Sequence, residues 1–236
     1  MPDFSKRSNE EEIMDDLSCS GDEIVQTLKE LEIINKWLGG NNVTIKGLEQ
    51  LNLKPGGKII IADLGCGGGD ILKLIARWGR KKKLSLSLIG VDANPNIIEY
   101  AKNNCLEYSE IEFMCEDIFS DQFQNKEFDI ITSTLFTHHF NNDQLKSLYP
   151  KWLKSSRIGV VINDLHRHWF AYYSIKWLTG LFSKSNMVKN DAAVSVMRSF
   201  KRDELFELFE SAKINDVDVK WRWAFRWQIV IANNGD

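Results

Sequence analysis

The stretch 58-KIIIADLGCGGGDILKLIARWGR-80 decides how the rest of the chain is read. Its first part, 58-KIIIADL-64, reads as a buried strand: a short apolar run bounded by turn residues. Residues 70–80 repeat their apolar positions with helical spacing. Between the two lies a glycine turn. Gly65 and Gly67 remove side chains where a ligand would touch main chain, and the helix that follows offers free N–H groups to an anion. A dinucleotide fingerprint wants glycine at the sixth position of the turn, where this chain has Asp70. A carboxylate there would face a pyrophosphate badly. The spacing Asp-x-Gly-x-Gly-x-Gly, counted from Asp63, fits better.

Outward from this turn, strands and helices alternate with short links. Strands are predicted at 85–92, 111–117, 128–134 and 158–164, with helices starting near Asn94-Pro95 and Asp143. The end breaks the alternation: 217-VDVKWRWAFRWQIVIAN-233 reads as two strands joined around Trp223–Phe225. The predicted fold is α/β, a doubly wound, mostly parallel, seven-stranded sheet with a terminal antiparallel hairpin. Residues 1–20 are charged and without periodicity, and read as a disordered acidic tail. Residues 21–54 hold two helices, the first ending at Gly39-Gly40, that are expected to cap the ligand site. The main domain then runs over 55–236, with a helical insertion at about 165–198.

Composition narrows the class. The chain has 236 residues, eight tryptophans and a formal net charge of −3. That balance gives no reason to expect nucleic acid, and the basic run Arg80–Lys83 suits a solvated helix end. Cys19, Cys66, Cys105 and Cys115 form no Cys-x-x-Cys pair and read as reduced thiols of a cytoplasmic protein. The polar N-terminus is unlike a signal peptide. The longest apolar window, 168–182, is interrupted by Lys176 and too short to span a bilayer, which leaves peripheral lipid contact open. A monomer or homodimer is expected.

Four features in order resemble the class I S-adenosylmethionine-dependent methyltransferases: 63-DLGCGGG-69, the acidic strand end in 90-GVDANP-95, the acidic pair in 115-CEDIF-119, and 128-FDIITSTLFTHHF-140. The resemblance covers roughly 55–165 and 200–233, the final hairpin included. It implies S-adenosyl-L-methionine as cofactor, held by Asp63, Gly65, Cys66, Gly67, Gly69, Asp92, Ala93, Asp117, Ile118 and Ser133. Such a cofactor has no phosphate. Its carboxylate suits the helix N-terminus, its ribose diol a carboxylate at Asp92, its adenine amine Asp117 with Ile118 against the ring, and its own amine Asp63. Each of these aspartates also suits a cap or turn. Cys66 reads most simply as a small filler in the turn.

The four histidines fall in two clusters, 135-LFTHHF-140 and 162-INDLHRHWFAYYSIKWL-178, both after strands of the sheet's carboxyl edge. In plant-type small-molecule O-methyltransferases a catalytic histidine follows the strand matching 128–134, which makes His138 a candidate base; here it is followed by His139-Phe140 rather than Asp-Trp. His166 is the second candidate base. His139, Arg167, His168, Trp169 and Tyr172 are candidates for an acceptor pocket, with the insertion as a lid. If the backbone is extended, His166 and His168 share a face and would permit a metal with His138 as third ligand; His138 and His139 diverge, and no acidic or cysteine cluster except Asp164 completes the set, so no metal is expected. Stretches 32-EIINKWLGG-40 and 163-NDLHRHW-169 look like a ubiquinone-type subgroup that accompanies polyketide or aryl-lipid pathways. Methyl transfer to a phenolic or enolic oxygen of a small acceptor is the leading expectation, with carbon methylation of a quinone-like ring or a non-catalytic partner subunit as alternatives.

Overall fold

A computed structural model describes residues 2–233. Seven strands form one sheet: β1 (Ile59–Leu64), β2 (Leu86–Asp92), β3 (Ile111–Cys115), β4 (Phe128–Thr134), β5 (Ser156–Leu165), β6 (Asp218–Arg222) and β7 (Arg226–Ala232). The spatial order is β3-β2-β1-β4-β5-β7-β6. The first five strands run parallel to one another, and β7 runs antiparallel to both β5 and β6. The helices are α1 (Gly21–Trp37), α2 (Asn41–Gln50), α3 (Asp70–Lys82), α4 (Pro95–Asn104), α5 (Asp121–Gln124), α6 (Asn142–Ser155), α7 (Trp169–Phe182), α8 (Asn186–Arg198) and α9 (Arg202–Ser211). The doubly wound sheet with its reversed hairpin is therefore as expected.

Both faces of the sheet are covered, which is why its strands read as continuous apolar runs. Alternate residues of β1 serve two cores. Ile61 packs with Leu48, Leu72 and Ile75 of α2 and α3. Ala62 and Leu64 pack with Tyr149, Trp152, Leu205 and Phe209 of α6 and α9. Helix starts are set locally: the Asn94 side chain accepts from the N–H groups of Asn96 and Ile97, with Pro95 in the first turn. The strand order reverses between β2-β1 and β4-β5, so a crevice opens at the carboxyl ends of β1 and β4.

Two regions differ from expectation. The first is the acidic tail, which is a strap packed across the carboxyl edge. Arg7 donates to the carbonyl oxygens of Arg198 (2.7 Å), Phe140 (2.9 Å) and His138 (3.1 Å). A short 3-10 turn at Ile13–Asp15 is capped by Asp191, whose two oxygens accept from Ile13 N and Met14 N. Glu12 is 6 % exposed. The strap is ordered because its charges have partners, and those partners lie far away in sequence.

The second is the insertion. Two helices fill it. α8 packs on α1, on the strap turn and on a 3-10 turn at Thr137–His139, while α7 lies outside it, against α8. α7 is apolar over most of its circumference but can bury only one face. Trp169, Phe170, Tyr173, Trp177, Leu181 and Phe182 are exposed. No helix among the described residues is long and apolar enough to cross a membrane.

Arg167, 1 % exposed, fixes the strap's beginning: it donates to Phe4 O (3.1 Å), Ser5 O and Ser199 O and pairs with Glu204. Arg167→Met is expected to destabilise the protein by about 3 kcal/mol, because the buried carbonyls and the half-covered carboxylate lose their donor. Urea denaturation measures this, and limited proteolysis should cut within the first twenty residues in the variant before the wild type. An unchanged midpoint and cleavage rate would show that the strap is held by other contacts.

Candidate active site

The crevice is a cleft of about 1300 Å³ lined by the glycine bend, the ends of β2 and β4, Leu28 and Leu31 of α1, the strap and α8. Gly65 and Gly67 have φ of +68° and +50°, the left-handed region that favours glycine. A Cβ at Gly65 would lie 2.3 Å from the Phe136 ring, so that ring packs directly on bare main chain. A Cβ at Gly67 would meet only Leu28, at 3.8 Å. The bend is open to the cleft. Asp92 stands beside it and accepts from Gly67 N at 3.3 Å and Asn94 N at 3.0 Å. Burial raises its carboxyl above the usual range, and those N–H groups oppose the rise.

Asp63 lines the same cleft at 1 % exposure, with Thr132 Oγ1 donating at 2.8 Å. Burial first, and then the nearby charge of Asp92, push its carboxyl up to about 7 against that hydrogen bond. Cys66, Ala93, Asp117 and Ile118 also line the cleft. Burial and two neighbouring carboxylates push the Cys66 thiol well up, so it is no nucleophile. Asp117 is exposed and accepts from Phe119 N at 2.9 Å, which is turn chemistry. Two expected cofactor residues sit outside the lining. Gly69 (φ +80°) backs onto Cys105, whose Sγ would be 2.7 Å from an added Cβ. Ser133 is buried in β4 opposite Leu64, and Thr134 and Leu135 reach the cleft instead.

The opposite wall holds the paired histidines. His138 is 2 % exposed. Asp164, at the end of β5, takes its Nδ1 at 2.7 Å and its backbone N at 3.0 Å. Its Nε2 faces Glu12 Oε1 at 3.3 Å. Burial alone would lower the imidazole, but the Asp164 and Glu12 carboxylates outweigh it and raise His138 to about 9. In this arrangement it holds its proton at neutral pH and is not a free base. His139 Nδ1 meets Asp15 Oδ1 at 2.5 Å, and its Nε2 lies 3.9 Å from Glu12 Oε2. The two rings do not diverge: their centroids are 4.4 Å apart, because the backbone is a 3-10 turn and not a strand. Arg198 donates to His139 O at 2.6 Å and pairs with Asp15. Glu12, Asp15, Asp191, Ser195 and Arg198 all line the cleft, and none stood out in the sequence. They belong to a polar tail and a mixed helix whose partners are distant.

The second histidine cluster is not in the cleft. His166 accepts from Trp221 Nε1 at 3.2 Å and packs on Trp227 at 4.9 Å. Burial, with the charges of His168, Arg167 and Lys201, lowers it to about 4. His168 caps α7, its Nδ1 accepting from Phe170 N at 3.1 Å, and stacks on Phe225. Arg167 anchors the strap, Tyr172 packs on Phe4 (5.6 Å), and Trp169 is 56 % exposed. The expected base His166 and the expected pocket residues Arg167, His168, Trp169 and Tyr172 are therefore structural or outward-facing, whereas His139 does line the cleft.

Residues 61–159 match the family described as "Methyltransferase domain". The chain is 30% identical over 140 residues to an uncharacterized methyltransferase, sll0829, of Synechocystis sp., covering 57% of this chain and 60% of that one. It is 30% identical over 131 residues to phosphoethanolamine N-methyltransferase 1 of Arabidopsis thaliana, covering 55% of this chain and 25% of that one. It thus spans less than two thirds of the length of these curated relatives. Among solved structures, the plantazolicin methyltransferase BpumL with a monoazolic desmethylPZN analog and SAH superposes with a TM-score of 0.64 at 20% identity, covering 90% of each chain. Glycine bend, neighbouring carboxylate, strand order and reversed hairpin agree with these likenesses: residues 61–159 match a methyltransferase domain, and the chain carries the α/β methyltransferase fold.

Proposed function

We propose that the chain transfers a methyl group from S-adenosylmethionine to an oxygen, phenolic or enolic in type, of a small and largely apolar acceptor. The observation that carries this reading is one cleft with two unlike walls. One wall is the open glycine bend beside Asp92; the other is a cluster of two imidazoles and a carboxylate, Glu12, His138 and His139. In this reading the main chain of Gly65 and Gly67 meets the cofactor's carboxylate, and Asp63 its ammonium. Asp92 accepts from the ribose diol, Asp117 from the adenine amine, and Ile118 lies on the ring. Transfer is an in-line displacement in which sulfur loses its positive charge, so holding the acceptor oxygen close to the methyl group supplies much of the acceleration. The acceptor's proton has to leave, and the histidine–glutamate cluster is the group that faces that space. The strap and α8 exclude water from the sulfonium.

Transfer to an enolic carbon is a second reading, since the same proton removal would serve it; product analysis separates the two. The exposed aromatic face of α7 supports contact with a lipid surface from which an apolar acceptor is drawn. A ubiquinone-type assignment rests only on 32–40 and 163–169, and those stretches have structural work. Asn163 donates to Gly40 O and Thr44 Oγ1, and Asn35 accepts from Arg226.

Asp92→Asn is expected to weaken S-adenosylhomocysteine binding about 10- to 100-fold by calorimetry, the loss of charge-assisted hydrogen bonds of about 1.5–3 kcal/mol. Affinity retained in that variant would remove Asp92 from the cofactor site. Asp63 gives a pH signature. Its carboxyl is raised to about 7 without cofactor, and the cofactor's ammonium favours the ionised form. Affinity should therefore rise as pH climbs from 5 towards 7 and level off above, with proton release below 7. Asp63→Asn should flatten the curve; a flat curve in the wild type would contradict the placement. His138→Asn should lower turnover of a phenolic acceptor panel by about 100-fold or more, with S-adenosylhomocysteine affinity nearly unchanged. Wild-type rates in that variant would mean that positioning alone drives transfer.

A further inference from the structure

Glu12, His138 and His139 meet at one point of the cleft wall. One ligating atom from each lies within 4.8 Å of the others. Each carboxylate oxygen of Glu12 faces a different imidazole, Oε1 at 3.3 Å from His138 Nε2 and Oε2 at 3.9 Å from His139 Nε2. Two donors on a tetrahedral zinc-type ion at 2.0–2.1 Å stand roughly 3.4 Å apart. His138 Nε2 and Glu12 Oε1 face each other as an ion pair, yet neither completes a hydrogen bond, and both residues are more than nine-tenths buried. Their hydrogen-bonding capacity is thus left unfilled and aimed at one point.

The outer contacts point the same way. Each imidazole is held at its other nitrogen by a carboxylate, His138 by Asp164 (2.7 Å) and His139 by Asp15 (2.5 Å). That arrangement keeps a proton on Nδ1, so a cation that displaces the proton on Nε2 would find a lone-pair donor there, as around metal-bound histidines. The charges agree. Glu12, Asp15 and Asp164 are three carboxylates, and Arg198, 4.0 Å from Glu12 and paired with Asp15, is one guanidinium. With neutral imidazoles two negative charges remain, the amount a divalent cation neutralises.

We infer that Glu12, His138 and His139 form a binding site for a divalent transition-metal cation of the zinc type, with Asp164 and Asp15 orienting the two imidazoles. A two-histidine, one-carboxylate set leaves a coordination position for water or an acceptor oxygen. Used there, the cation acidifies the acceptor hydroxyl, whose proton leaves to solvent. The O–CH3 bond then forms as the S–CH3 bond breaks, and that electron pair stays on sulfur. This use rests on the methyl-transfer reading; the site itself does not.

The test is calorimetric titration of the chelator-stripped full chain with Zn2+ near neutral pH, together with the visible absorption of a Co2+ titration. The expected result is stoichiometric uptake with the strong ligand-field bands of a four-coordinate site. Glu12→Gln and His139→Asn should each weaken Zn2+ binding at least about 10-fold, and replacement of the exposed Cys115 by serine should leave it unchanged. No uptake, or uptake undiminished in Glu12→Gln, would overturn the site and leave the cluster an imidazolium–carboxylate network. S-adenosylhomocysteine binding, measured alongside, keeps the two readings apart: a wild type that binds it but not Zn2+ loses only the metal site, and one that binds Zn2+ but not it loses only the methyl-transfer reading.

Discussion

The carboxylate of Asp164 is the fixed point of the carboxyl edge. It is fully buried, and a lone buried carboxylate is costly unless its oxygens are taken. Here they accept from Thr137 Oγ1 (2.5 Å), His138 N (3.0 Å), His138 Nδ1 (2.7 Å) and Leu165 N (2.7 Å). These contacts bind the end of β5 to the turn that follows β4. They also aim the far nitrogen of His138 at the cleft. The chain of dependence continues outward: His138 faces Glu12, Glu12 accepts from Ser195 of α8 at 2.7 Å, and Arg198 of α8 closes on Asp15. One buried charge therefore organises the whole roof of the cleft.

That roof is built unlike the floor. The floor is the sheet, held by apolar packing on both faces. The strap has one short turn, little apolar burial and many charged contacts, with Leu17 exposed and Phe4 resting on the tyrosines of α7. Segments of this kind open at lower free energy than core strands. Any ligand of the cleft has to pass this wall, and the part of it that can lift without breaking the sheet is the part that carries Glu12 and Asp15. Entry and assembly of the histidine cluster are thus coupled by geometry.

The sheet was legible because its signals are local. Each strand is a short apolar run, the bend is marked by glycines, and Asn94-Pro95 caps its own helix. The hairpin is two runs with a break. The strap was not legible, since Arg7, Glu12 and Asp15 are ordered by residues near 138 and 198, and composition alone describes such a tail as disordered. The lid was half legible. The apolarity of α7 announced a helix but could not say which face is buried, and the cleft is met by the less apolar α8. The stretch 163-NDLHRHW-169 looked like a pocket wall because it is rich in chemistry-bearing residues. All but Leu165 and the exposed Trp169 are spent on structure: Asn163 on the α1–α2 link, Asp164 on His138, His166 on the hairpin, Arg167 on the strap and His168 on the start of α7.

The histidines show why spacing needs the backbone state. Residues two apart in extended chain share a face, and His166 and His168 do, with ring centroids 5.6 Å apart. The face they share, however, packs on Phe225 and Trp227 and is turned from the cleft. Adjacent residues in a strand oppose each other, yet His138 and His139 converge because their backbone has left the strand for a 3-10 turn. The alternation rule was sound in both places; what decided the chemistry was where each strand ends. β4 stops at Thr134, before its histidines, and its turn folds back under the strap. β5 runs on to Leu165, and its histidines continue along the hairpin. The length of one strand relative to its neighbour thus separates the imidazoles that line the cleft from those that only hold the sheet's edge.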